Sequence, residues 1–219
     1  MIRMIDDALP QHEFHKLLHT LDLAQFSDGV MSSFTGPCLL DFNLAGEYKH
    51  LYTESPRAIL KQPNTVDTMQ FTHVILANSS IKSPYLNYMT PILDYIVDTH
   101  FLDMVGGDYY YSRIKINLLM RNHLVKDKSN YSYPHLDAEE QHLSMLLYLN
   151  ESDGDTVFFK NRKGERDKEL VEEMRVSPKP NRVVMSDGHY HAGTNPMNYD
   201  IRLGMNVVLH HSVEAIKLM

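Results

Sequence analysis

The chain has 219 residues, 43% of them hydrophobic, and a formal charge of -7, which suits one domain of ordinary globular composition with a sizeable core. The acidic balance, with a pI near 6.0, argues against a nucleic-acid backbone as partner, because that calls for a concentrated positive surface. A single cysteine, Cys38, excludes an internal disulfide and points to a reducing, cytoplasmic setting; no run approaches the roughly 18 apolar residues of a membrane span.

The start, Met1 to Asp7, has no apolar core behind a basic patch, so no leader is expected. Phe14, Leu17, Leu18 and Leu21 recur at helical spacing after Pro10 and predict an amphipathic helix over 11–25. His12, Glu13, His15 and His19 lie on it without forming a His-Glu-x-x-His zinc signature, so they read as a solvated face. Ser27-Asp28-Gly29 ends the helix and Gly36-Pro37 turns the chain. Met69 to Leu76, rich in β-branched and aromatic residues, predicts a strand. Thr90-Pro91 reads as an N-cap followed by a first-turn proline. The helix behind it, 91 to about 104, buries Ile92, Leu93, Ile96, Val97 and Leu102 and stops at Gly106-Gly107. Tyr95 and Phe101 read as core.

From Tyr109 the texture changes to strands, predicted over Tyr109–Met120, Gln141–Leu149, Thr156–Phe159, Asn181–Met185 and Arg202–His210. Between them Lys160 to Arg166 is basic, and Asp167, Glu169, Glu172 and Glu173 follow at once. This predicts a solvated mixed-charge loop or short helix, with a lid over a nearby site as the functional alternative. Tyr109-Tyr110-Tyr111 and Tyr131-Ser132-Tyr133 read as packing, with a peptide groove as the second option. No internal repeat appears. On pattern alone this is an antiparallel sandwich or barrel with helices packed outside.

One constellation carries chemistry. His135 and Asp137 in Tyr133-Pro134-His135-Leu136-Asp137 project to one side if the segment is extended, and Pro134 favours extension. His191 follows far downstream, and Arg202 after it. Two imidazoles and a carboxylate can hold one face of iron(II), leaving positions open for a cosubstrate and dioxygen. A guanidinium can then grip a carboxylate with two hydrogen bonds, which a lysine only approximates. His189 is a rival for the distal ligand; His191 is preferred because the Ala-Gly-Thr-Asn-Pro turn after it puts it at a strand end. Arg202, Gly204 and Asn206 share one strand face, and a buried Arg202 would require an anionic partner.

With these residues in their order, the chain resembles the iron(II)- and 2-oxoglutarate-dependent oxygenases, most closely the prolyl-4-hydroxylase-like branch. The resembling segments are His135-Leu136-Asp137, Leu146 to Asn150, Gly154 to Phe159, Ser177 to Val184, and His191-Ala192-Gly193 with Arg202, about the C-terminal half of the chain. The resemblance implies a fold that is α+β and mainly β: a double-stranded β-helix, jelly-roll or cupin-like, over 106–213. Residues 1–105 would be N-terminal supporting helices and strands, within one domain of 1–219. It assigns His135, Asp137 and His191 to the metal and Arg202 to the far carboxylate of 2-oxoglutarate. Tyr148 would be a second donor to that carboxylate and Asn117 a further polar contact. Gly204 stands where some members carry Ser or Thr, which leaves that second contact to Tyr148, and Asp137 favours hydroxylation over halogenation. The implied cofactors are Fe(II), 2-oxoglutarate and O2, with ascorbate as an optional addition. The implied reaction is hydroxylation of an unactivated C–H bond with release of succinate and CO2, on a small molecule or on a peptide or protein, a prolyl residue being one candidate. A cupin-like non-redox metalloenzyme and an inactive β-helix binding module are the competing classes.

Overall fold

In the computed structural model, which describes residues 1–21, 43–44, 65, 70–127, 129–165 and 169–212, alternate residues of the long strands face two different environments. The strands are β1 (Ile2–Ile5), β2 (Asn43–Leu44), β3 (Gln70–Ala77), β4 (Ser80–Ile81), β5 (Tyr109–Met120), β6 (Leu143–Tyr148), β7 (Thr156–Phe159), β8 (Glu172–Val176), β9 (Val183–Ser186), β10 (His191–Gly193) and β11 (Ile201–His211). The helices are α1 (Gln11–Thr20), α2 (Leu86–His100) and α3 (Leu102–Val105). A major sheet runs β1-β9-β6-β11-β5-β3-β2, with β4 paired to β3, and a minor sheet runs β10-β7-β8. All of these pairings are antiparallel.

One face of the major sheet is apolar and meets the helices. Ile114, Ile116 and Leu118 of β5, Met145 and Leu147 of β6, and Leu203, Met205 and Val207 of β11 pack in one core with Leu17 of α1 and Leu93, Ile96 and Val97 of α2. Each such buried aliphatic side chain stabilises the fold by about 1.5–3 kcal/mol. The opposite face, with Asn117, Gly204 and Asn206, looks toward the minor sheet across a cavity that residues of both sheets line. Period-two alternation therefore puts the core on one side of each strand and the site on the other.

The second helix begins earlier than Thr90-Pro91 suggests. Thr90 lies a turn inside α2, its Oγ1 donating to Leu86 O at 3.0 Å, and Pro91 lies within the helix. The start is set upstream, where the Oγ of Ser83 accepts from the Tyr85 N–H and Tyr85 O accepts from Tyr88 and Met89. A proline this close to the helix start removes one backbone bond, while the longer helix buries Met89 completely. The helical path breaks at Phe101, whose φ of -135° lies outside the helical range, before α3 ends at left-handed Gly106. Phe101 is buried, but the break turns Leu102 outward to 54% exposure, and Tyr95 is 45% exposed rather than in the core.

Strand ends move by one or two residues elsewhere: 143–148 for 141–149, 183–186 for 181–185, and 201–211 for 202–210. Helix α1 stops at Thr20, and the expected continuation over 22–25, the Ser27-Asp28-Gly29 stop, the Gly36-Pro37 turn, Cys38 and Met69 lie outside the described residues. Within the charged segment read as a loop or short helix, Glu172–Val176 forms β8, paired with β7. Glu172, Glu173 and Arg175 of β8 carry charge and Val176 alone is buried, the pattern of an edge strand that pairs through its main chain while its side chains stay solvated. Asn161 closes the hairpin, donating to Glu169 O at 3.0 Å and accepting from the Val171 N–H at 3.1 Å.

Candidate metal and cosubstrate site

His135 and His191 meet through their main chains. The His135 N–H donates to His191 O at 3.0 Å and the His191 N–H to His135 O at 3.1 Å, a single antiparallel bridge that brings the two rings to 4.8 Å between centroids. The segment is not a continuous strand: the chain bends at Asp137, which is aimed by other side chains. Arg113 of β5 donates through Nη1 to Asp137 O at 3.0 Å and through Nη2 to its Oδ1, and Asn206 of β11 donates through Nδ2 to Oδ2 at 3.1 Å. His135, Asp137 and His191 then each offer a ligand atom within 4.8 Å of the others, and Asp137 Oδ2 lies 3.5 Å from His191 Nε2.

The protonation states suit a metal. Each imidazole turns Nδ1 to a carbonyl, His135 to Tyr133 O at 3.0 Å and His191 to His189 O at 3.1 Å. Nδ1 is therefore the protonated nitrogen and Nε2 carries the lone pair that a metal takes. Burial pushes His135 down to about 3, with His191 adding to the shift, so its ring is neutral at ordinary pH. Burial alone would raise Asp137, but the Arg113 guanidinium beside it outweighs burial and holds the carboxyl well below the usual range. Two imidazole nitrogens and a carboxylate lining one cavity fit a divalent first-row ion with open positions.

Arg202 lines the same cavity. It is 7% exposed, and its Nη2 donates to Thr156 Oγ1 at 2.5 Å while its guanidinium lies 5.6 Å from the centroid of the Tyr148 ring. Among the described residues no carboxylate pairs with it; Asp155 acts only at longer range, and burial lowers its pKa. A buried guanidinium held by a hydroxyl and an aromatic face lacks the anion that would offset its desolvation. The Tyr148 hydroxyl lies against Thr156 Oγ1 at 2.6 Å and is fully buried, so Thr156 rather than Tyr148 lines the cavity. Asn117 also lines it, its Oδ1 accepting from Thr72 Oγ1 at 3.2 Å.

His189 stands apart from the donor cluster. It is buried with Nε2 at 3.2 Å from Glu173 and Nδ1 at 3.1 Å from Asp187, and burial, with help from the Arg162 charge, pushes it down to about 4. Its separation follows from β10 beginning only at His191, so the two histidines do not share a strand face. Tyr109 and Tyr111 donate to Asp94 at 3.2 and 2.7 Å, and Tyr131 packs edge-on against Phe159, which is the packing role. Sequence reasoning missed Arg113, Thr156 and Gly193. Arg113 could have been found from the period of β5, where Arg113, Lys115 and Asn117 alternate with buried Ile114, Ile116 and Leu118.

No family model and no curated relative matches the chain. Solved structures do. An oxidoreductase of the 2OG-Fe(II) oxygenase family from Burkholderia pseudomallei aligns over 96% of this chain and 86% of its own, with TM-score 0.58 and 16% identity. A prolyl-4-hydroxylase from Pseudomonas putida aligns over 96% and 92%, with TM-score 0.52 and 14% identity. A prolyl hydroxylase from Trichoplax adhaerens, in complex with a hypoxia inducible factor peptide fragment, aligns over 100% and 87%, with TM-score 0.53 and 11% identity. Two antiparallel sheets facing across a cavity, with helices outside the larger one, thus give this chain the double-stranded β-helix fold of the iron(II)- and 2-oxoglutarate-dependent oxygenases, prolyl-4-hydroxylases among them.

Proposed function

We propose that this protein is an Fe(II)- and 2-oxoglutarate-dependent dioxygenase that hydroxylates an unactivated C–H bond and releases succinate and CO2. The observation that carries the reading is one cavity lined both by a His-Asp-His donor set and, among the described residues, by a buried arginine lacking a carboxylate partner. His135, Asp137 and His191 would hold the iron, and Arg202 the far carboxylate of 2-oxoglutarate. When bound, iron and 2-oxoglutarate together supply the oxidising chemistry with O2.

The chain's own contribution is orientation and exclusion of water. Thr156 fixes Arg202 through a hydrogen bond at 2.5 Å, so the guanidinium presents its remaining donors along the cavity in a set direction. Leu119 and Leu146 give the cavity apolar walls, which strengthens the electrostatic grip on an anion there. Asn117 offers an amide to the same cavity. For substrate, a peptide or protein with a prolyl residue is the leading candidate. Its support is the likeness in fold to prolyl hydroxylases, one of them solved with a bound peptide.

The test is anaerobic addition of iron(II) and then 2-oxoglutarate, watching for the visible band of the metal–keto-acid chelate. Succinate release with proline-containing peptides, free amino acids and no added substrate follows. A band with peptide-stimulated succinate supports the whole reading. A band with stimulation only by small molecules keeps the oxygenase and removes the peptide. No band with correctly folded, iron-loaded protein defeats the oxygenase reading.

A further inference from the structure

We propose that Arg113 and Asn206 are positioning residues that restrict Asp137 to one metal-facing oxygen, Arg113 acting through the fork of its guanidinium and not through its charge. The inference rests on the metal reading of the His135, Asp137 and His191 cluster.

Asp137 lies beyond the His135–His191 bridge, in a bend where no paired strand orients it. Arg113 supplies the missing constraint from β5, gripping the main-chain oxygen of Asp137 with one terminal nitrogen and its side-chain Oδ1 with the other. That second nitrogen, Nη2, also donates to Asn206 Oδ1 at 2.8 Å. The contact fixes the amide so that its Nδ2 faces Asp137 Oδ2 at 3.1 Å. Oδ1 is therefore committed to the guanidinium. Oδ2 is the oxygen turned to the imidazole donors, 3.5 Å from His191 Nε2.

Charge and geometry pull in opposite directions here, which makes the roles separable. A guanidinium beside a ligand carboxylate draws on its negative charge and repels an incoming cation, so by Coulomb's law alone Arg113 weakens metal binding. Its gain is orientation: a planar fork holds backbone and carboxylate of one residue at once, while an ammonium reaches one of them at a time. The Asp137 side chain is only 2% exposed and that of Arg113 22%, so solvent does not loosen the grip. Arg113→Lys keeps the charge and removes the fork.

The experiment titrates the full chain with Mn(II), following free Mn(II) by electron paramagnetic resonance, for wild type, Arg113→Lys and Asn206→Ala, with the metal-free melting temperature of each. Loss of such outer partners typically lowers metal affinity by about 10–100-fold. That range is expected for Arg113→Lys, and about threefold to tenfold for Asn206→Ala, which keeps the guanidinium contact. A purely structural role would lower the melting temperature and leave Mn(II) affinity in place. Wild-type affinity in Arg113→Lys overturns the inference, and if that variant does not fold, wild-type affinity in Asn206→Ala overturns it. Wild-type protein that binds no Mn(II) removes the metal reading itself, an outcome distinct from equal binding by wild type and variant.

Discussion

A Cβ placed on Gly193 would stand 2.5 Å from Arg202 Nη1 and 3.3 Å from Leu119 Cδ2, so the guanidinium fills the volume that any other residue at 193 would claim. Gly193 follows His191 by two positions on β10, and one short strand therefore carries a candidate metal donor and the seat of the arginine. Gly193→Ala is expected to push Arg202 off Thr156. Losing a charge-assisted contact of about 1.5–3 kcal/mol corresponds to roughly 10–100-fold weaker 2-oxoglutarate binding. Anaerobic titration of the visible band measures it. Mn(II) affinity should stay within about threefold, because neither imidazole moves.

Thr156 and Tyr148 separate by mutation although their hydroxyls touch. Thr156→Val removes the hydroxyl that holds Arg202 Nη2 and leaves the Tyr148 hydroxyl only its longer contact to Val176 O at 3.4 Å, a loss of about 1–3 kcal/mol that denaturant unfolding will show together with weaker cosubstrate binding. Tyr148→Phe removes a hydroxyl that does not line the cavity. Cosubstrate affinity should change by less than about threefold, with a stability loss near 1 kcal/mol. A large affinity loss in Tyr148→Phe would instead restore the tyrosine as a direct contact of the carboxylate.

Asp137→Ala and His191→Ala should each abolish Mn(II) binding and succinate release, since two donors remain of a three-donor set. His189→Ala should keep Mn(II) affinity within about threefold, because its ring sits between Glu173 and Asp187. Retained binding in His191→Ala with loss in His189→Ala would exchange their roles.

Acid should destabilise the metal-free protein in a defined window. Burial lowers His135 to about 3 and His189 to about 4, from 6.5, so between these values and pH 6.5 the unfolded chain binds protons that the folded chain refuses. Stability therefore falls as pH drops below about 6.5, by up to about 1.4 kcal/mol per pH unit for each imidazole. The depressed carboxyl of Asp137 acts in the same direction, starting only below its ordinary range. Urea midpoints at pH 7.5, 6.5, 5.5 and 4.5 test this. A flat profile would mean that these rings take up protons in the folded state.

The strands that carry the site were legible because their alternation is strong. Tyr109–Met120 and Thr156–Phe159 match residue for residue, each bounded by turn chemistry. The candidate donors His135, Asp137 and His191, which the fold brings together, stood out through residue type and order. What aims them did not. Thr156 acts across the two sheets, and a lone threonine in a strand has no local signature; the period of β5 shows which face Arg113 is on but not that it grips Asp137, which lies far along the chain. Thr90-Pro91 misled because a capping signature competes with apolar periodicity, and complete burial of Met89 decided between them. The charged run ending in β8 hid an edge strand, since main-chain pairing there asks little of the side chains.

The reciprocal main-chain bonds between His135 and His191 bear on how a metal would enter. In small zinc modules the ion gathers ligands from an unfolded chain and supplies the folding energy. Here the backbone has already set the two imidazoles side by side, and a carboxylate waits beside them under its own restraints. Loading would then be the filling of a finished socket: quick, reversible by chelators without unfolding, and open to exchange among divalent ions.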